Sequence, residues 1–254
     1  MRGRAQEAVY MIYVVGIGPG EKDMMTAEAA AVIDGCDVIA GYKTYTALIR
    51  DIWPDKEYYE NGMRGEIERC RKCAELSVQG KNVALICSGD AGVYGMASPM
   101  IECAVEAGLG AQDVTVVPGV TAALSGAALL GAPINHDFCL ISLSDLLTPW
   151  ETIERRLLAA AEGDFAIVLY NPASAHRPDH LRRACEILMS RISPDTCCGY
   201  TVNIGREGES ASTCTLRELS ELKADMFTTV FIGNSGTYIR DNRLISPRGY
   251  VLNE

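Results

Sequence analysis

At 254 residues, with 48% hydrophobic and 22% charged side chains, the chain has the composition of a folded globular protein with room for one large or two smaller domains, which excludes disordered and fibrous classes. Its formal net charge of −10, from 23 Lys and Arg against 33 Asp and Glu, repels phosphate backbones and argues against a nucleic-acid partner. The longest weakly polar stretch, residues 116–134, is broken by Pro118, Gly119, Gly126, Gly131 and Pro133, so no membrane span is expected and a soluble, cytoplasmic protein is.

Residues 1–10 read as a tail: Glu7 interrupts the basic pair Arg2 and Arg4, and no small-residue cleavage site follows, so a secretory signal does not fit. A first strand over Tyr13–Gly16 then runs into Gly16-Ile17-Gly18-Pro19-Gly20. A dinucleotide fingerprint needs glycines at its first, third and sixth positions, with backbone amides aimed at a pyrophosphate. Here the sixth position is Glu21, whose carboxylate would face that pyrophosphate, and Pro19 removes a donor. The motif therefore predicts a tight loop beside a ligand that need not carry phosphate, and it excludes a dehydrogenase.

Further strands are predicted at Val38–Ala40, Val83–Ser88 and Val114–Val117, with a helix between them carrying Ile67, Cys70, Arg71, Ala74 and Val78 and stopping at Gly80. A small-residue run ends at Gly131-Ala132-Pro133-Ile134, where the domain boundary is expected. A second series of strands follows at Phe138–Ser142, Phe165–Tyr170, Cys198–Asn203 and Phe227–Gly233. Trp150, Ile153, Leu157 and Leu158 form a helical stripe, and Thr215 with Glu218 is a capping box. Alternating strands and helices of this kind predict an α/β protein of two domains in series, residues 11–133 and 134–254. Ligands of such sheets gather at strand ends, so a cleft between the two domains is the expected binding place.

The ten cysteines mostly sit in apolar runs and are expected to be reduced core thiols. Cys70 and Cys73 have ligand-like spacing, but no second pair or histidine accompanies them, and no metal site is expected. His176 and His180 are separated by Pro178, which places the first outside any helix, and both read as surface.

Four loops after predicted strands are rich in small residues: 16–20, 88–95, 117–122 and 170–174. Glycines there let backbone approach a ligand, and Asp90 offers a carboxylate to hydroxyl or amine donors. Taken singly, Asp90 and Thr121 read first as caps of the helices that follow.

Together, Gly16-x-Gly-Pro-Gly20, Gly89-Asp90 with Tyr94-Gly95, and Val117-Pro118-Gly119-Val120-Thr121-Ala122 resemble the signature of the tetrapyrrole methyltransferases, over essentially the whole chain from Met11 to Val251. His136-Asp137-Phe138, Ser142-Leu143-Ser144-Asp145 and Tyr170-Asn171-Pro172 resemble the branch of that family acting in cobalamin biosynthesis. The resemblance implies two α/β domains with S-adenosylmethionine bound in the cleft between them and leaving as S-adenosylhomocysteine, a tetrapyrrole substrate, and a homodimer. It further implies methylation of C17 of precorrin-3B or cobalt-factor III coupled to ring contraction. Carried over position by position, cofactor contacts fall on Pro19, Ser88, Gly89, Asp90, Val93, Thr121, Ala122, Asn171 and Gly233.

Methyl transfer from a sulfonium is an in-line displacement accelerated chiefly by positioning, whereas ring contraction needs a general acid or base. His136 is the expected candidate for that role, with Asp137 or Asp145 nearby, because its loop joins the two domains. Ser142 and Ser144, alternating along a strand face, are candidate substrate contacts. A polycarboxylate substrate meeting an acidic protein needs local arginine, and Arg206 is the first choice, ahead of Lys43 and Arg64. Arg155, Arg156, Arg182 and Arg183 read as solvated helix faces. The residues leave open methylation at another macrocycle carbon and an acceptor outside the tetrapyrroles, such as protein or RNA.

Overall fold

The computed structural model describes residues 10–20 and 22–251, so Glu21 at the sixth fingerprint position and residues 1–9 of the expected tail lie outside it. The chain divides into two units, the first ending at Thr121 and the second beginning at Ala122.

In the first unit, five strands, β1 (Ile12–Gly16), β2 (Val38–Tyr42), β3 (Glu57–Asn61), β4 (Val83–Cys87) and β5 (Val114–Val117), alternate with helices. The helices are α1 (Ala27–Gly35), α2 (Lys43–Ile49), α3 (Glu66–Val78) and α4 (Ala97–Glu106). The strands pair in parallel throughout, in the order β3-β2-β4-β1-β5. Both faces are covered, which is why β1 and β4 read as nearly continuous apolar runs. On one face Val15, Ile39, Ala84 and Ile86 pack with Ala29 and Ile33 of α1 and Ile49 of α2. On the other, Val14, Val38, Ala40 and Leu85 pack with Cys70 and Cys73 of α3 and Met100 and Cys103 of α4.

That two-sided packing fixes where a ligand can enter. The chain leaves β1 toward the α1 face and leaves its neighbour β4 toward the α4 face, so the carboxyl ends of these two strands form the topological switch point of the sheet. Thr26 Oγ1 accepts from the Ala29 amide at 3.1 Å and caps α1. Beyond α3, Gly80 takes φ +90°, while the amide of Lys81 returns to the Leu76 carbonyl at 3.1 Å. All ten cysteines are free thiols, and no metal-binding cluster exists among the described residues. Burial pushes Cys70 up to about 12, consistent with an inert core thiol.

The second unit opens with α5 (Ala122–Leu130) and the two-residue β6 (Gly131–Ala132), followed by β7 (Phe138–Ser142), α6 (Trp150–Glu162), β8 (Ala166–Tyr170) and α7 (His180–Met189). It continues through β9 (Cys197–Val202), β10 (Ser210–Thr215), α8 (Leu216–Ser220), β11 (Thr228–Ile232), β12 (Tyr238–Arg240) and β13 (Arg243–Ile245). The main sheet runs β10-β9-β11-β8-β7; only β7 and β8 are parallel, and the other pairings are antiparallel. α6, α7 and α8 cover one face with Ile153, Leu157, Leu181, Leu188, Leu216 and Leu219. The predicted capping box is present, with the Glu218 amide on Thr215 Oγ1 at 3.2 Å and the Thr215 amide on Glu218 Oε2 at 2.8 Å.

The other face carries α5, and this places the division between Thr121 and Ala122 where the sequence suggests Pro133. Ala123, Ala127 and Leu130 pack on Val168 and Phe231. A Cβ on Gly126 would lie 2.7 Å from Thr201 Oγ1 and 2.9 Å from Phe231 Cζ, so the small-residue run is a helix seated closely on this sheet and not the end of the preceding unit. β3, β6, β10, β12 and β13 escape the sequence pattern because they are polar, edge-placed or only two to three residues long.

Candidate functional site

In the first unit the three glycine-containing loops meet backbone to backbone at the switch point. Gly18 and Gly89 exchange both main-chain hydrogen bonds, at 3.0 and 2.7 Å, each residue with φ near +70°. A Cβ on Gly16 would lie 2.7 Å from both the Gly119 nitrogen and the Gly89 oxygen, and one on Gly119 would lie 2.2 Å from the Gly89 oxygen. Glycine is required here so that three strand ends can pack on one another.

Asp90 locks that junction. Its Oδ1 accepts from the amides of Gly92 and Val93 at 2.8 and 3.0 Å, and its Oδ2 accepts from Gly119 at 2.9 Å. It does not cap α4, whose N-cap is Met96. A carboxylate offers about four acceptor positions, and among the described residues three are taken by amides. Around it, Pro19, Gly89 and Thr121 are buried and Ser88 and Val93 half-buried, with Thr121 immediately before α5. Asp90 is the one carboxylate among described loop residues 16–20, 88–96 and 117–121, which include no lysine or arginine. The donor and acceptor set suits a ligand presenting amine and hydroxyl groups, and it offers no cation to phosphate.

In the second unit the carboxyl ends of β7, β8 and β9 carry a further group of predicted residues. Asn171 follows β8 in the left-handed region, φ +53°, which asparagine tolerates, and its Nδ2 donates to Ser142 Oγ at the end of β7 at 3.0 Å. The Ser144 amide also points to Ser142 Oγ, at 3.3 Å, but Ser144 lies past the end of the strand, so the two serines do not alternate along one strand face as expected. Tyr170 Oη accepts from the Ala123 amide at 2.7 Å and holds the first turn of α5, with Ala122, at this end of the sheet. Arg206 follows β9 at the same end, its guanidinium carbon 5.3 Å from the centre of the Phe227 ring.

Three predicted residues lie elsewhere. His136 and Asp137 precede β7, so they stand at its amino end, separated from Ser142 by the length of the strand. Both are exposed, with His136 Nδ1 accepting from the Asp137 amide at 2.8 Å, and neither approaches Asp145. Gly233 follows β11, which runs antiparallel to β8, so it too lies at the opposite end of the sheet from Asn171. There its amide bonds the Cys197 carbonyl at 2.9 Å, and a Cβ would collide with the Thr237 side chain at 2.4 Å.

A residue read as surface turns out to be central. His180, the first residue of α7, is only 8% exposed, and its Nε2 lies 3.1 Å from Asp145 Oδ2. Arg177 Nη1 stands 3.9 Å from Asp145 Oδ1. The His180 ring packs edge-on to Trp150, centroids 4.9 Å apart, while Arg183, exposed as expected, lies 4.0 Å above the same indole. Burial pushes the Asp145 carboxyl up, but the His180 contact and then the Arg177 charge outweigh this and hold it below the ordinary aspartate value. His180 precedes the buried positions Leu181, Ala184, Cys185 and Leu188 of α7, but only the fold brings α6 and α7 together and sets His180 against Asp145.

A family model described as Tetrapyrrole (Corrin/Porphyrin) Methylases matches residues 11–220. Among curated relatives, a probable cobalt-factor III C(17)-methyltransferase of Salmonella typhimurium is 47% identical, the match covering 95% of this chain and 100% of the relative. A precorrin-3B C(17)-methyltransferase of Sinorhizobium sp is 38% identical, over 94% and 97% of the two chains. Among solved structures, the methyltransferase CobJ superposes with a TM-score of 0.86 at 36% identity, covering 94% of this chain and 100% of that one.

Proposed function

Since the chain belongs to the tetrapyrrole methylase family, we propose that it transfers a methyl group from S-adenosylmethionine to C17 of a corrin precursor, precorrin-3B or cobalt-factor III, in cobalamin biosynthesis, with contraction of the ring. The observation that carries this reading is the end-to-end likeness to C17-methyltransferases named for each of those two substrates. The geometry of the first unit agrees with it. S-adenosylmethionine supplies an activated methyl on a sulfonium and brings amine, carboxylate, ribose and adenine groups but no phosphate. Against such a molecule the described loops offer close backbone around Gly18, Gly89 and Gly119, an acceptor position on Asp90, and the Ser88 and Thr121 hydroxyls. Pro19 and Val93 add apolar contact.

The chain's own contribution to the transfer is placement. Rigid loops, held by the Gly18–Gly89 pair and by Asp90, keep their amides and hydroxyls in fixed directions, which lowers the entropy cost of aligning donor and acceptor. In the second unit, Ser142, Ser144 and Arg206 supply hydroxyl, amide and guanidinium partners for the carboxylate-rich periphery of a macrocycle. The same reading makes the enzyme cytoplasmic and a homodimer, and light scattering on the purified protein tests the second of these.

The decisive experiment supplies the protein with methyl-labelled S-adenosylmethionine and each macrocycle in turn. A product heavier by one labelled methyl at C17 supports the proposal and identifies the physiological substrate. Label transferred to neither macrocycle overturns it.

A further inference from the structure

The second unit contains a polar cluster that no part of the placement argument uses. Asp145 sits in the loop after β7, one residue beyond Ser144, and its side chain keeps 34% of its surface exposed. Behind it stand two buried polar atoms, His180 Nε2 and Arg177 Nη1, neither of which has a hydrogen-bond partner among the described residues. Both stand beside the same carboxylate, at 3.1 and 3.9 Å, without forming an aligned hydrogen bond to it. Burying an imidazole nitrogen and a guanidinium nitrogen without full hydrogen bonding costs stability, and a structure keeps such a feature where function needs it.

The elements around the cluster hold it in one arrangement. Ser174 and Arg177 exchange main-chain hydrogen bonds at 3.2 and 2.9 Å, which folds the loop after β8 back on itself and delivers Arg177 to Asp145. Trp150 closes the side of the imidazole, and Arg183 covers the indole in turn. The titratable and charged groups facing Asp145 are His180 from α7 and Arg177 from the loop before it. The cluster thus has a partly exposed carboxylate at the front with the imidazole and guanidinium behind it, at the end of the sheet that also carries Ser142, Ser144 and Arg206.

We propose that Asp145, His180 and Arg177 form an acid–base station, Asp145 accepting the proton that the methyl acceptor releases and His180 and Arg177 acting as positioning residues that keep its carboxylate oriented. The proposal rests on the methyltransferase reading above. In the step it serves, the bond from the donor sulfur to the methyl carbon breaks with its electron pair left on sulfur, and the new carbon–carbon bond takes its pair from the enamine of the macrocycle. A neutral enamine becomes an iminium cation by this change and returns to neutrality by losing one N–H proton. That proton forms an O–H bond on Asp145, whose side chain keeps 34% of its surface exposed, and leaves from there to solvent, so charge and atoms balance. His136, at the far end of β7, is not part of the station.

The test uses the full-length protein and four measurements: turnover, macrocycle binding by visible absorbance without donor, the pH dependence of kcat, and the carboxyl titration of Asp145 by NMR on aspartate-labelled protein, assigned with the Asp145→Asn variant. Asp145→Asn, nearly isosteric and partly exposed, is expected to keep its fold and macrocycle binding while kcat falls about 10²- to 10⁴-fold. His180→Asn is expected to move the Asp145 titration and the acid limb of kcat to higher pH, with KM changed less than kcat. Arg177→Gln should move both in the same direction by less. Should His180→Asn fail to fold, the Arg177 variant carries the same readout. Wild-type turnover with unimpaired kcat in Asp145→Asn overturns the station and leaves the methyltransferase reading standing. An acid limb and titration unmoved in the His180 and Arg177 variants removes their positioning role. A wild type that methylates neither macrocycle withdraws both proposals, since the station then has no proton to accept.

Discussion

Tyr170 and Ala123, 47 residues apart in the chain, are joined by a 2.7 Å hydrogen bond in which the backbone amide at the start of α5 donates to the tyrosine hydroxyl. Ala123 is 1% exposed, so this amide has no recourse to water. The bond ties the first turn of a small-residue helix to the end of β8 and holds it at the same end of the sheet as Asn171 and Ser142.

Tyr170→Phe therefore leaves a buried donor unsatisfied, and a loss of about 1–3 kcal/mol in unfolding free energy is expected. Urea denaturation followed by circular dichroism measures it. A change near zero would mean that α5 takes its position from packing on Val168 and Phe231 alone.

Asp90→Asn replaces an acceptor of three amide bonds with a group that must turn an NH₂ toward one of those amides. Loosening of the junction should cost about 1–3 kcal/mol of stability and weaken S-adenosylmethionine binding by a similar amount. Calorimetric titration alongside denaturation separates the two. Lost stability with unaltered donor affinity would confine Asp90 to a structural role.

At Gly119 even one methyl group is excluded, because a Cβ there would stand 2.2 Å from the Gly89 oxygen and 2.6 Å from the Gly16 oxygen. Both neighbours are backbone and have no rotamer by which to withdraw. Gly119→Ala should lower stability by about 1–3 kcal/mol or more and reduce soluble yield. A melting temperature equal to the wild type would show that the three strand ends are not in contact.

His136→Ala is expected to change stability by less than about 0.5 kcal/mol and turnover by less than about twofold, since the ring is exposed at the amino end of β7 and its polar contacts among the described residues are with its neighbour Asp137. Steady-state kinetics checks it, and abolished turnover would return His136 to the reaction.

The Asp145 carboxyl is held below its ordinary value because the His180 and Arg177 contacts outweigh the upward push of burial. A lowered carboxylate stabilises the fold at pH values above the unfolded-chain value, and that contribution fades as pH falls through the lowered folded value. The wild type should accordingly lose part of its stability below about pH 4, and Asp145→Asn should show a shallower decline there. Denaturant midpoints recorded from pH 6 to pH 2 give the comparison.

Read from residues alone, the chain already carried its architecture. All eight predicted strands exist, because buried β-branched runs and glycine stops are local signals that depend on neighbours in sequence. The loops at Gly16–Gly20, Gly89–Gly95 and Val117–Thr121 were legible for the same reason: glycine and proline restrict the backbone wherever they occur. What those loops do to one another was not legible. The contacts of Asp90 with Gly119 and of Gly16 with Gly89 follow from strand order, and a sheet running β3-β2-β4-β1-β5 makes neighbours of segments far apart in the chain.

The sequence by itself determined which residues could form strands, helices and tight phosphate-free loops, and its small-residue stretches marked places where backbone packs closely. Only the tertiary structure decided which end of a strand each polar residue occupies. Strand direction settles that question: β7 and β8 run parallel while β11 runs against them, so His136 and Gly233 are carried to one end of the sheet and Asn171, Ser142 and Arg206 to the other. Packing of α6 on α7 then buried His180 against Asp145, a pairing that no spacing along the chain announces.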